Sequence, residues 1–470
     1  MLYQSTRGTA PILDFRGVTL AGLATDGGLY LPMHWPHLST ETLEGLASAP
    51  YLETAFTVIR PFTEGALTEA ELKSLLADAY GDFGHAAVTP LVQLDHRHWL
   101  LELFHGPTLA FKDVALQLLG GLFATFLGTG EGSTPGGSAD KLTIIGATSG
   151  DTGSAAIEAV AGRPGITIFM LHPEGRVSDV QRRQMTTVSA PNVHNIAVAG
   201  TFDDAQALVK ALFNDQAFRA EQQLSAVNSI NWARLLAQIV YYVYAAVRLG
   251  APRHPVAFSV PTGNFGDVFA GYCAARMGLP VSRLLVATNS NDILARALNA
   301  GDYSVGKVAP TSTPSMDIQI SSNFERLLFD LHGRDGAALA ATMAQFEATG
   351  RMVLSPAQQA EAAGLFRAER VDEGQMRQAL QWAHANCGQL LDPHTAIGLA
   401  AARRVAADVP GPIVTLATAH PAKFPDAVER ACGNRPGLPR RVAHLFDREE
   451  RFDRLPADAT ALKAYIRARA

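Results

Sequence analysis

Between residues 142 and 288 the chain repeats one pattern: a short aliphatic or β-branched run, a polar turn, and a stretch of helical period. The runs are LTIIG (142–146), ITIFML (166–171), HNIAV (194–198), VAFSV (256–260) and LLVAT (284–288), and PIVTLAT (412–418) repeats the form near the end. Strands this apolar need cover on both faces, and the helices between them supply it. Repeated β-α-β units therefore predict an α/β fold with parallel sheets. In such sheets the polar turns that end the strands face the ligand.

The turns carry the chemistry. Residues 91–103 alternate apolar and polar groups and predict a β-hairpin leading into the turn 104–113, FHGPTLAFKD. That turn delivers Lys112 to the start of the nearly uncharged helix 113–127. Desolvation there would depress the lysine pKa and free its amine as a nucleophile or base, as a Schiff-base lysine requires. A lysine that snorkels its ammonium into solvent is the competing reading. Thr148, Ser149, Asp151 and Thr152 lie where strand 142–146 turns into a helix, an arrangement that cradles anions. Gly263, Asn264, Phe265, Gly266 and Asp267 form a second such turn. Asn228, Ser229 and Arg234 at the start of another helix suit an oxyanion, or simple capping.

Residues 1–90 read as a mostly helical cap, with Thr68 and Glu71 forming a capping box before the amphipathic stretch 68–80. The remainder divides into regions 91–260 and 261–470, with a ligand cleft expected between two sheet domains. Residues 128–140, rich in Gly, Ser and Thr, predict an exposed loop, and alanine-rich 337–386 a peripheral helical insertion. No apolar run reaches the ~18 residues of a membrane span. The net charge of −5 comes without a basic block and argues against nucleic acid as partner. Cys273, Cys387 and Cys432 lack disulfide or metal spacing, and the amino terminus lacks a secretory pattern, so a reducing cytoplasm is expected.

The motifs FHGPTLAFKD, GATSGDTGSAAIEA, QRRQMTT, NVHNIAV, SAVNSINWAR, VPTGNFGD, PSMDI, LDPHTA and TAHPAKF, in this order, closely resemble threonine synthases. The likeness runs from about residue 3 to about residue 430, and the opening STRG and the DGGLY turn resemble the bacterial and fungal branch. The resemblance implies a tryptophan-synthase-β-like architecture (pyridoxal-phosphate fold type II). It implies pyridoxal 5'-phosphate as cofactor, bound covalently by Lys112, and O-phospho-L-homoserine as substrate, converted with water to L-threonine and phosphate. By the same resemblance the turn 263–267 holds the cofactor phosphate through backbone amides, and Thr418 places a hydroxyl beside the pyridine nitrogen. Thr148 and Ser149 face the substrate carboxylate, and Thr152, Asn228, Ser229 and Arg234 its phosphate. Asp151 stands where related enzymes of the fold usually carry Asn; facing the cofactor's phenolic oxygen, its carboxylate would need a proton between them.

Two other functions fit parts of this pattern: a serine or threonine dehydratase-like lyase, which binds no substrate phosphate, and a catalytically silent relative that binds a phosphorylated metabolite. Several residues have plain explanations. His105 and His420 read as satisfied histidines, Tyr241 and Tyr242 as core, and Arg182 and Arg183 as a solvated or domain-bridging face. Asp317 has no assigned role.

Overall fold

The computed structural model describes residues 1–128, 141–225 and 229–470. Most of the glycine-rich stretch expected as a loop, and Asn228, lie outside the described residues. The amino-terminal part is mostly helical. Helices Phe15–Ala21, Thr40–Gly45, Tyr51–Thr63 and Glu69–Tyr80 accompany a two-stranded antiparallel ribbon of Tyr3–Ser5 and Tyr30–Pro32. The Thr68 capping box forms: Glu71 N donates to Thr68 Oγ1 at 3.2 Å, and Thr68 N to Glu71 Oε2 at 2.7 Å.

Two larger sheets follow. One has five strands in the order Asp453–Pro456, Val193–Ala199, Ile166–Pro173, Leu142–Ala147 and Leu224–Ser225, all parallel. The other has six, in the order Phe366–Arg370, Val281–Thr288, Val256–Pro261, Ile413–Ala417, His98–Glu102 and Leu91–Gln93. It is parallel except for the hairpin at its edge, where Leu91–Gln93 runs antiparallel to His98–Glu102. The sheets are interleaved in sequence. The 91–103 hairpin and strand Val256–Pro261 join the later strands, and Asp453–Pro456 returns to the earlier sheet.

The expected helical insertion at 337–386 is corrected. Helices Gly336–Thr349, Pro356–Ala363 and Glu373–Cys387 are there, but strand Phe366–Arg370 lies among them and pairs with Val281–Thr288 as the edge of the six-stranded sheet. Its five residues include two arginines and a glutamate, so no apolar run marks it; Phe366 and Ala368 turn inward.

The helix Trp232–Arg248 runs through the core, buried from Trp232 to Val247. It packs against helices Lys112–Gly128, Gly266–Arg276 and Tyr51–Thr63. Helix Lys112–Gly128 in turn crosses Asp151–Val160 at Gly120, where a Cβ would stand 2.2 Å from the Ala159 carbonyl oxygen. Only glycine allows that approach, and it brings the first turns of the two helices into one site.

Candidate active site

The site gathers at strand ends. The turn after His98–Glu102 brings Lys112, the turn after Leu142–Ala147 brings Asp151, Val256–Pro261 leads into 263–267, and Ile413–Ala417 ends at Thr418. Two backbone bonds register the first against the last: Phe111 N donates to Thr418 O at 2.8 Å, and His420 N to Leu109 O at 3.0 Å. Asp113, the second residue of the lysine helix, accepts from Thr108 N at 2.8 Å and Thr108 Oγ1 at 2.6 Å, which locks the turn onto the helix. Lys112 itself is buried. Its Nζ lies 3.7 Å from Asp151 Oδ2 and 4.8 Å from the centre of the Phe111 ring. Burial pushes its pKa down, aided by Arg234 and Lys423, and the carboxylates of Asp151 and Asp113 only partly offset this. The snorkelling alternative is therefore excluded.

Asp151 sits in a cage of donors. Lys423 Nζ is 3.0 Å from its Oδ1, and Gln181 Nε2 donates to the same oxygen at 2.8 Å. Burial alone would raise the carboxyl pKa, but Lys423, Lys112 and Gln181 outweigh it and hold the group well below the usual carboxylate range. It carries no proton to share with a phenolic oxygen. Lys423, Gln181 and Gln184 were not singled out from the sequence; Lys423 lies inside a strand-end turn but nothing in its spacing points to Asp151.

The 263–267 turn is built to leave its amides outward. Ser321 Oγ donates to Gly263 O at 2.8 Å, and Asn323 binds Asn264 O through N at 3.1 Å and Nδ2 at 3.0 Å. The first amides of helix Gly266–Arg276 have no carbonyl of their own helix to meet. A Cβ on Gly263 would stand 2.7 Å from Ser315 O, so the turn closes only with glycine. Phe265 takes φ of 61°, a left-handed conformation held by edge contact with Phe324 at 5.2 Å. An anion such as the cofactor phosphate fits here.

The Asp267 side chain faces inward, where Tyr241 Oη donates at 2.5 Å and Tyr242 Oη at 3.1 Å to Oδ1. Burial pushes its carboxyl up to about 6 despite those bonds and the charges of Lys112 and Arg234. The two tyrosines are core residues, as expected, with hydroxyls committed to this carboxylate. Arg234 is 4% exposed, and among the described residues its Nη1 has no hydrogen-bond partner. Burial lowers its pKa to about 10, so it stays charged.

The other expected residues are placed as follows. Thr148 Oγ1 accepts from Gly150 N at 3.0 Å and Gly153 N at 2.9 Å, leaving only its proton for a ligand. Ser149 is exposed, Thr152 and Ser229 are half-buried, and Thr418 is buried. His105 pairs with Glu102 at 2.7 Å. His420 is pushed down to about 4 by burial, with His105 and Arg441 adding to it, and is neutral. Arg182 bonds Glu450 at 2.8 Å and Arg183 the Phe446 carbonyl at 3.0 Å, so this pair bridges to the carboxy-terminal segment. Asp317 organises a loop by accepting from Asn289, Asn291 and Thr311.

Three family profiles match in succession: threonine synthase N terminus over residues 2–80, pyridoxal-phosphate dependent enzyme over 83–368, and threonine synthase C-terminal over 395–466. The chain is 52% identical over 467 residues to the threonine synthase of Pseudomonas aeruginosa, covering 99% of this chain and 98% of that one. The chain belongs to the threonine synthase family. It is 42% identical to the threonine synthase of Saccharomyces cerevisiae, covering 92% of this chain and 89% of that one. A crystal structure of threonine synthase from Brucella melitensis with bound pyridoxal phosphate superposes with a TM-score of 0.96 at 50% identity, covering 100% of this chain and 99% of that chain. The fold is thus pyridoxal-phosphate fold type II, the chain is a pyridoxal-phosphate-dependent enzyme, and neither alternative function is favoured. Among the described residues no helix is long and apolar enough to cross a membrane.

Proposed function

We propose that the substrate is O-phospho-L-homoserine, that Lys112 binds the cofactor, and that the reaction takes place in the cytoplasm, releasing L-threonine and phosphate. The observation that carries this reading is Arg234, a buried, charged guanidinium whose Nη1 has no hydrogen-bond partner among the described residues and whose charge acts on the Lys112 amine. A dehydratase acting on an unphosphorylated amino acid has no use for such a group. Its planar fork matches a phosphoryl oxygen pair.

Pyridoxal phosphate, when bound, supplies the electron sink for charge developing on the substrate carbons. The 263–267 amides would hold its phosphate, and Thr418 would offer the ring nitrogen a hydroxyl, which would not keep that nitrogen protonated as a carboxylate does. Lys112 Nζ, depressed in pKa by burial, takes the α-proton and then a β-proton. Phosphate leaves the γ-carbon toward Arg234 and the half-buried Ser229 with one of the two protons that Lys112 took, the γ-carbon gains the other, and water adds its hydroxyl at the β-carbon while its proton returns to the α-carbon.

The test is an assay with O-phospho-L-homoserine that follows phosphate and threonine together, beside Lys112→Ala. Equimolar products, both abolished in the variant, support the reading. Phosphate with 2-oxobutyrate and no threonine would indicate a lyase, and a cofactor-loaded protein that releases neither product a metabolite binder.

A further inference from the structure

Two lysines share Asp151, one on each carboxylate oxygen, and they are held in opposite ways. Lys423, 0% exposed, donates to Thr108 O at 2.6 Å and Gln184 Oε1 at 2.8 Å, and its ammonium forms an ion pair with Asp151 Oδ1 at 3.0 Å. A fully buried ammonium tied to two acceptors and a carboxylate is held in place. Lys112, at 3.7 Å from Oδ2, is beyond hydrogen-bond reach and free to leave. Gln184 Nε2 also donates to Thr108 O at 2.9 Å, so Lys423 ties together the Lys112 turn, the Asp151 helix and helix Asp179–Thr186. Glu450 braces the other side of that helix, accepting from Arg182 at 2.8 Å and Thr186 at 2.8 Å.

We propose that Lys423 is a positioning residue, which fixes the charge and orientation of Asp151 and through it sets the protonation of the Lys112 nitrogen. It rests on Lys112 being the lysine that takes the cofactor. The charged groups around the pair are few. Lys112 and Asp113 come from one helix, Arg234 from Trp232–Arg248, Asp267 with Tyr241 and Tyr242 beside it, His394 from Pro393–Val405, and Lys423 from the turn after Ile413–Ala417. Helix Asp179–Thr186 presents only the neutral amides of Gln181 and Gln184 to the carboxylate and its lysine. Lys423 is thus the cation paired most closely with Asp151, at 3.0 Å against 3.7 Å for Lys112, and its ammonium opposes the field that the carboxylate exerts on Lys112. Held well below the usual carboxylate range, Asp151 stays ionised and leaves proton transfer to Lys112.

The experiment titrates the absorbance of the cofactor-loaded enzyme against pH for the wild type, Lys423→Met, Asp151→Asn and the double variant. Borohydride reduction and peptide mapping come first. Cofactor on Lys423 instead of Lys112 would sink the premise and this proposal with it. With the cofactor on Lys112, losing the Lys423 charge raises the spectral midpoint by about one pH unit or more, and losing the Asp151 charge lowers it by a similar amount. The double variant, which lacks the same Lys423 packing, falls between the two single variants. Midpoints of Lys423→Met and Asp151→Asn that stay within about 0.3 of wild type, or a double variant as high as Lys423→Met, would overturn the proposal. If Lys423→Met does not fold, the downward shift in Asp151→Asn decides alone.

Discussion

Tyr241 Oη donates to Asp267 Oδ1 at 2.5 Å, in a pocket where the other carboxylate oxygen has no hydrogen-bond partner among the described residues. Burial holds this carboxyl at about 6, above its usual 3.8. The folded protein therefore binds that proton more tightly than the unfolded chain. The contribution is fully present below about pH 4 and is lost as pH rises through 6. About two units correspond to roughly 3 kcal/mol. Asp267→Asn removes this dependence, so in cofactor-free protein the melting temperature of the variant relative to wild type should rise between pH 4.5 and pH 7.5. Calorimetry at the two pH values checks it; a constant difference would mean the carboxyl titrates normally.

Arg234→Lys keeps the charge but loses the planar fork. Catalytic efficiency toward O-phospho-L-homoserine should fall by about a hundredfold or more, equivalent to roughly 2.7 kcal/mol. Product inhibition by inorganic phosphate should weaken in parallel, because the same guanidinium would hold it. Steady-state kinetics with and without added phosphate measures both. Efficiency within about threefold of wild type would remove Arg234 from substrate recognition.

Gly120→Ala places a methyl group 2.2 Å from the Ala159 carbonyl, a backbone atom that cannot rotate away. The Lys112 and Asp151 helices must separate. Overpacking of this kind costs about 1–3 kcal/mol, and the separation should also weaken cofactor retention by moving Lys112 from Asp151. Thermal melting of the cofactor-free and loaded proteins reads the two effects separately.

Much of the fold was legible because its signals are local. Strands Leu142–Ala147, Ile166–Pro173 and Val256–Pro261 are apolar runs ended by polar turns, and the Thr68–Glu71 capping box is four residues long. Strand Phe366–Arg370 was hidden, since its short alternating sequence lies between alanine-rich helices whose period dominates the window. His105 pairs with Glu102 and His420 Nδ1 accepts from Ala422 N, so both histidines are satisfied, and burial keeps His420 neutral.

The sequence by itself determined that polar turns would end the apolar strands, and that Lys112 would open an apolar helix, because periodicity and turn residues act over a few positions. Tertiary structure alone decided how the two sheets interleave, and that Lys423 reaches Thr108 across 315 residues to hold Asp151 charged. It alone also turned Tyr241 and Tyr242 onto Asp267. A buried ion needs partners on every side, and those partners are chosen by which elements pack together, not by which residues are neighbours in the chain.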